Sequence, residues 1–235
     1  VQKPTASKDK IIVALDVPNR QSAQKLLAEL SGSVSFYKIG LQLFTKEGPE
    51  IVKAVKETGA AIFLDLKFHD IPNTVEHAVR SACELDVNML TIHLSGGAKM
   101  LRAAVAGAAG TQTQILGVTV LTSSSRDTLR ETGVEATVED QVLRLACLAI
   151  ENGIHGLVAS PLEVSLLRQL FGAKPTIVTP GVRPSWAEAN DQQRTLTPQA
   201  AIQAGADYLV IGRPITAHPN PREAAEKIIE EIESR

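Results

Sequence analysis

Ala61-Ile62-Phe63-Leu64-Asp65-Leu66-Lys67-Phe68-His69-Asp70 is an apolar strand pattern that ends in charge. Side chains alternate across a strand, so Ile62, Leu64 and Leu66 share one face while Phe63, Asp65 and Lys67 share the other. A carboxylate and an ammonium therefore stand side by side at the end of the segment, with Asp70 just beyond in the loop. Burying charge is costly unless the charges are paired. The pattern reads as a site carried on the C-terminal end of a buried strand.

Apolar runs of the same kind recur on both sides of this one. Strands are expected at Ile11–Val17, Ser35–Gly40, Ala61–Lys67, Val87–His93, Gln114–Leu121, His155–Ser160, Thr176–Gly181 and Tyr208–Arg213. Between them lie helical periodicities at Arg20–Leu30, Pro49–Thr58, Thr74–Leu85, Ala98–Ala108, Val138–Asn152, Pro161–Phe171 and Pro198–Ala204, and Pro221–Ser234 closes the chain. Strand and helix alternating eight times predict a single α/β domain over 1–235, a (β/α)8 TIM barrel, with 1–9 a polar N-terminal extension. A doubly wound open sheet is the alternative. Thr122–Thr137 and Val182–Thr197 are long connections that follow strands, which in a barrel puts both on the face where sites are built.

Composition narrows the class of partner. The chain is 44% hydrophobic but only 3% aromatic, so its core is built mainly from Ala, Val, Leu and Ile. A formal charge of −2 gives no global attraction to nucleic acid or to anionic membranes, and anion binding must be local. No apolar run approaches the ~20 residues of a membrane span. Val1 to Lys10 lacks the apolar region of a signal peptide, and Val1 in place of methionine reads as a processed or trimmed start. Cys83 and Cys147 lack metal-ligand spacing and read as core residues of a cytoplasmic protein.

The parity test extends the site to neighbouring strands. Ile12, Ala14 and Asp16 share a face, as do Phe36 and Lys38. In a barrel the ends of the first three strands are adjacent, which gathers Asp16, Lys38, Asp65 and Lys67 around one mouth. Two aspartates flanking Lys67 would keep it protonated, a proton donor rather than a Schiff-base nucleophile. The lysines also argue against a divalent metal, whose sites are lined with oxygen ligands. His93 and His69 could act as acids, although packing or hydrogen-bonding roles suit them better; His77, His155 and His218 read as surface or structural. At the other end of the barrel order, Thr179-Pro180-Gly181-Val182-Arg183 and Ile211-Gly212-Arg213-Pro214-Ile215 follow strands seven and eight, where such barrels commonly hold a phosphate. Arg183, Arg213 and Gly212 fit that role. A phosphorylated small molecule would then span the mouth.

These residues carry a resemblance. Asp65-Leu66-Lys67-Phe68-His69-Asp70-Ile71-Pro72-Asn73-Thr74-Val75 resembles the signature of the orotidine 5′-phosphate decarboxylase family. The similarity continues in Ala14-Leu15-Asp16, Tyr37-Lys38-Ile39-Gly40, His93-Leu94-Ser95-Gly96-Gly97, Val120-Leu121-Thr122-Ser123 and the two Gly-Arg blocks. It implies decarboxylation of orotidine 5′-monophosphate to uridine 5′-monophosphate, without cofactor or metal, by a homodimer whose active sites are shared. It further implies a charged network of Lys38, Asp65 and Lys67 completed by Asp70 of the partner subunit, with Lys67 the proton donor. Asp16 and Lys38 would bind the ribose, Ile71 and Thr74 would reach over from the partner, and Thr122 and Ser123 would meet the pyrimidine. Arg183, Gln192, Gly212 and Arg213 would hold the phosphate. Two rivals stand beside this reading: a non-catalytic sugar-phosphate or nucleotide binder, and a Mg²⁺-dependent decarboxylase of the 3-keto-L-gulonate 6-phosphate type. The second carries a carboxylate ligand where this chain has Lys38.

Overall fold

The computed structural model describes residues 3–187 and 195–234. Eight parallel strands close on themselves in sequence order: β1 (Ile11–Ala14), β2 (Phe36–Gly40), β3 (Ala61–Phe68), β4 (Met89–His93), β5 (Gln114–Val118), β6 (Gly156–Val158), β7 (Thr176–Thr179) and β8 (Tyr208–Ile211). The ring shuts through pairing of β1 with β8, Ile12 opposite Val210. This is the expected (β/α)8 barrel. Several strands stop two or three residues short of the apolar runs that announce them, because their last residues turn into the loops. Asp16, for instance, lies beyond the end of β1.

Around the barrel run α1 (Arg20–Glu29), α2 (Leu41–Glu47), α3 (Pro49–Lys56), α4 (Pro72–Cys83), α5 (Gly97–Gly107), α6 (Arg126–Glu131), α7 (Val138–Glu151), α8 (Val164–Phe171), α9 (Pro198–Gln203), α10 (Arg213–Thr216) and α11 (Pro221–Glu233). Their starts follow local chemistry. Proline opens α3, α4, α9 and α11, where its missing N–H costs nothing. Side chains of Asn19, Thr137 and Asn220 accept from backbone N–H groups of the first turns of α1, α7 and α11. Among the described residues no helix is long and apolar enough to cross a membrane.

Strand alternation splits the core into two layers. Residues such as Val13, Ile39, Leu64, Leu90 and Ile177 face outward and pack beneath the helices with Val52, Val79, Leu101 and Ile228. Ile12, Phe36, Phe63, Met89, Leu116, Val158, Val178 and Tyr208 point inward and fill the barrel, with Phe36 and Tyr208 in edge contact at 5.7 Å. Cys83 is buried and Cys147 half-buried, both as free thiols within helices. From Lys3 on, the N-terminal segment is fastened to the barrel: Lys3 pairs with Asp207 at 3.1 Å and donates to the carbonyl of Ala173.

Candidate active site

Register sets the inner face of the mouth. Ala14 lies opposite Lys38, Lys38 opposite Phe63, and Gly40 opposite Asp65. Because Phe63 belongs to the barrel filling, Asp65 two residues on also points inward, one layer higher. Lys38 and Asp65 are each only 8% exposed, which demands pairing. They find it: Lys38 Nζ lies 3.5 Å from Asp65 Oδ2 and donates to Asp16 Oδ1 at 3.0 Å. Lys67 Nζ donates to both Asp65 oxygens at 2.8 Å. The result is a chain of alternating charge, Asp16–Lys38–Asp65–Lys67, across three strand ends. Burial alone would push the Asp65 carboxyl upward, but the Lys38 and Lys67 ammoniums and hydrogen bonds from Lys67 and Thr91 outweigh it and hold the group below the usual carboxylate range.

Space for this network depends on Gly40. Its backbone is ordinary extended chain, φ −96°, so no conformational demand calls for glycine. A Cβ there would stand 2.9 Å from Lys38 Nζ and 3.1 Å from Asp16 Oδ1. The glycine makes room for the ion pair.

Strict alternation fails at Lys67. Phe63 and Leu64 pair with Met89 and Leu90, but the next pairing joins Phe68 to Ile92, so β3 bulges between them. Lys67 takes φ +51°, the left-handed region that a side chain with a Cβ adopts at a cost. The ammonium still reaches Asp65, but through a kinked backbone rather than a continuing strand. Thr91 is the residue that sequence patterning overlooks here. Its hydroxyl donates to Asp65 Oδ1 and accepts from the Lys67 N–H, both at 2.9 Å. A threonine inside a strand looks like any β-former, and only the register across β3 and β4 gives it away.

The charged cluster lines a cavity of about 420 Å³. Its walls are apolar, from Val118, Val120, Leu121, Val158 and Val210, and the loops after β7 and β8 add Arg183, Gly212 and Arg213, with Gly212 next to Asp16. Burial and the like charge of Arg213 hold the Arg183 guanidinium below its ordinary value. Among the described residues the buried Arg183 Nε has no hydrogen-bond partner, while its Nη1 donates to the Val182 carbonyl at 3.0 Å. Two converging guanidiniums favour an anion between them. A charged network, apolar walls and two guanidiniums around one cavity suit a small polar ligand with a terminal phosphate.

The predicted residues are thus divided. Asp16, Lys38, Asp65, Lys67, Thr122, Arg183, Gly212 and Arg213 line the cavity. Ser123 does not line it and is exposed; of the pair, Thr122 turns inward. Asp70, Ile71 and Thr74 are exposed and lie outside the cavity of their own chain, Asp70 accepting from the Ile71 N–H at 2.7 Å. Within one chain Asp70 therefore does not flank Lys67. Gln192 lies outside the described residues. His93 is half-buried beside His69, ring centroids 5.8 Å apart, and lies outside the cavity lining. Burial, His69 and Lys67 hold His93 below its ordinary value against the pull of Asp65. Among the described residues no three His, Cys, Asp or Glu side chains group as metal ligands.

Similarity to known proteins agrees with this geometry. The chain is 51% identical over 233 residues to the orotidine 5′-phosphate decarboxylase of Syntrophotalea carbinolica, covering 96% of each sequence. It is 51% identical over 235 residues to that of Moorella thermoacetica, covering 97% of this chain and 93% of the relative. Among solved structures, that of the orotidine 5′-phosphate decarboxylase from Lactobacillus acidophilus superposes with a TM-score of 0.85 at 37% identity, covering 96% of this chain and all of the other. Residues 9–228 match the family described as orotidine 5′-phosphate decarboxylase / HUMPS, and the chain belongs to that family.

Proposed function

We infer that this protein decarboxylates orotidine 5′-monophosphate to uridine 5′-monophosphate and CO₂, in pyrimidine nucleotide synthesis. The observation that carries this is an ammonium, Lys67, hydrogen-bonded to both oxygens of a buried carboxylate in a cavity that two arginines also line. The cavity lies within the roughly 300–1,000 Å³ of small-molecule sites.

The chemistry follows from charge. Breaking the bond between C6 and the carboxylate leaves its electron pair on a ring carbon with little resonance delocalisation. A fixed ammonium stabilises that pair electrostatically, without reorganisation at the moment of reaction. Lys67 Nζ then gives C6 a proton, closing the new C–H bond, and the neutral amine recovers a proton from solvent. Asp65 holds Lys67 in place and lies beside the departing carboxylate. Lys38 and Asp16 would bind the ribose, Thr122 the pyrimidine, and Arg183, Gly212 and Arg213, with Gln192, the phosphate. Lys38 stands where the Mg²⁺-dependent sugar-phosphate decarboxylases carry a carboxylate, and an ammonium there repels a cation. Incubation with orotidine 5′-monophosphate in EDTA, followed in the ultraviolet, is expected to show undiminished conversion. An unchanged spectrum would overturn the reading, and activity restored only by Mg²⁺ would favour the metal-dependent chemistry.

The proposal extends to a cytoplasmic homodimer, each chain a single barrel domain, in which Asp70, Ile71 and Thr74 complete the partner's site. It is supported by their exposure at the start of α4, where Ile71 is 66% exposed while Asp70 leaves Lys67 of its own chain untouched. Mixing inactive Lys67→Ala and Asp70→Ala proteins tests the sharing. Exchanged dimers hold one site with both native residues and should regain up to about a quarter of wild-type activity per active-site pool, as random exchange dictates. No recovery after verified exchange counts against shared sites.

A further inference from the structure

Two buried threonines of this barrel satisfy their hydroxyl on a nearby backbone carbonyl. Thr113 donates to Val87 O at 2.8 Å and Thr119 to Val158 O at 2.9 Å. Thr91 does otherwise. It is 0% exposed on β4, pointing inward one step above Met89, and both halves of its hydroxyl go to β3. The O–H donates to Asp65 Oδ1 and the oxygen accepts the Lys67 N–H. Between Leu64 and Phe68 the two strands fall out of register, β3 using four residues where β4 uses two. The bulge takes the Lys67 N–H off the sheet ladder, and an N–H left without a partner at this depth is costly. The Thr91 oxygen supplies that partner. A valine would suit the strand and the burial equally well; only the hydroxyl can tie both ends of the bulge.

We propose that Thr91 is a positioning residue of the decarboxylation site, clamping the bulge of β3 so that the Lys67 backbone keeps its left-handed turn and the ammonium stays aimed from Asp65 into the cavity. This rests on the functional reading above. Thr91 does not line the cavity; it acts through Asp65 and Lys67, which do.

The clamp makes a separable prediction for rate and for ionisation. Misplacing a reacting group by about 1 Å costs on the order of 10²-fold in rate, so Thr91→Val should lower kcat by that order. KM should change little, because Lys38, Arg183 and Arg213 are untouched. Asp65 is faced by Lys38 from β2 and by Lys67 on its own strand, and from β4 by His93, which in turn faces His69. The Thr91 hydrogen bond is one of the influences lowering the Asp65 carboxyl. Its removal should move the acid limb of the kcat profile to higher pH. Thr91→Ser, which restores the hydroxyl, should restore both rate and profile.

The experiment measures kcat, KM and the pH profile for wild type, Thr91→Val and Thr91→Ser, with crystal structures of the wild type and the valine variant. A folded Thr91→Val enzyme with wild-type kcat and profile would overturn the proposal, as would a structure in which Lys67 keeps its left-handed backbone and its contact with Asp65. If the valine variant does not fold, Thr91→Ala is read in the same way. The wild-type arm separates the two readings: absence of decarboxylation there refutes the function, while the structures still decide whether Thr91 holds Lys67.

Discussion

Lys67→Ala is expected to lower kcat by about 10⁵-fold or more, since general-acid catalysis contributes ~10²–10⁴ and electrostatic stabilisation of a developing charge a further ~10²–10³. Both effects reside in the one ammonium. The substitution should leave the fold standing, because Asp65 keeps Lys38 at 3.5 Å and the Thr91 hydroxyl at 2.9 Å and is not left as an isolated buried charge. It should also leave ligand binding measurable, because Asp16, Lys38 and the arginines are intact. Titration calorimetry with uridine 5′-monophosphate, alongside the ultraviolet assay, separates the two effects. A folded, binding-competent variant that retains substantial decarboxylation would show that Lys67 is not the acid.

Arg213→Ala is expected to reduce kcat/KM by about 10²–10⁴-fold, the scale of one or two charge-assisted hydrogen bonds to a phosphate. Arg213 opens α10 after β8, three strands round the ring from the β3 that carries Lys67, where the phosphate rather than the reacting carbon is proposed to sit. Binding energy from a remote group raises the rate only if it is used to order the site in the transition state. The control is the nucleoside orotidine, which has no phosphate. Wild type and variant should handle it equally, because the lost interaction is absent in both. Near-normal kcat/KM for the nucleotide, or an equal loss with the nucleoside, would remove Arg213 from the phosphate site.

How much of this could be read from the chain varies by element, for physical reasons. The eight strands were legible because short apolar runs, buried on both faces in a barrel, are separated by helical periodicities, and the parity of Phe63 and Asp65 survived into the barrel. Three helices were not. Helix α2 follows β2 directly, with Gly40 at its cap and no side chain there to signal a start. Helix α6, inside the loop Thr122–Thr137, buries no residue and so has no apolar stripe, although Ser125 and Thr128 cap it reciprocally. Helix α10 is only four residues long. At the site, charge at strand ends exposed Asp16, Lys38, Asp65, Lys67, Arg183 and Arg213, since ionised groups on an inward face have no bland explanation in such number. Thr91 stayed hidden because its meaning depends on a register shift between two strands. Ser123 against Thr122 was a question of one side chain's direction, which spacing does not decide.

The left-handed backbone at Lys67 sets evolutionary pressures against each other. Glycine at that position would relax the chain by roughly 1 kcal/mol, as glycine tolerates positive φ without steric conflict. Against that relaxation stands the loss of both hydrogen bonds that the Lys67 ammonium gives to buried Asp65. A relative with glycine in place of this lysine is expected to keep the barrel but lack the proton donor, and its assay with orotidine 5′-monophosphate should show no turnover.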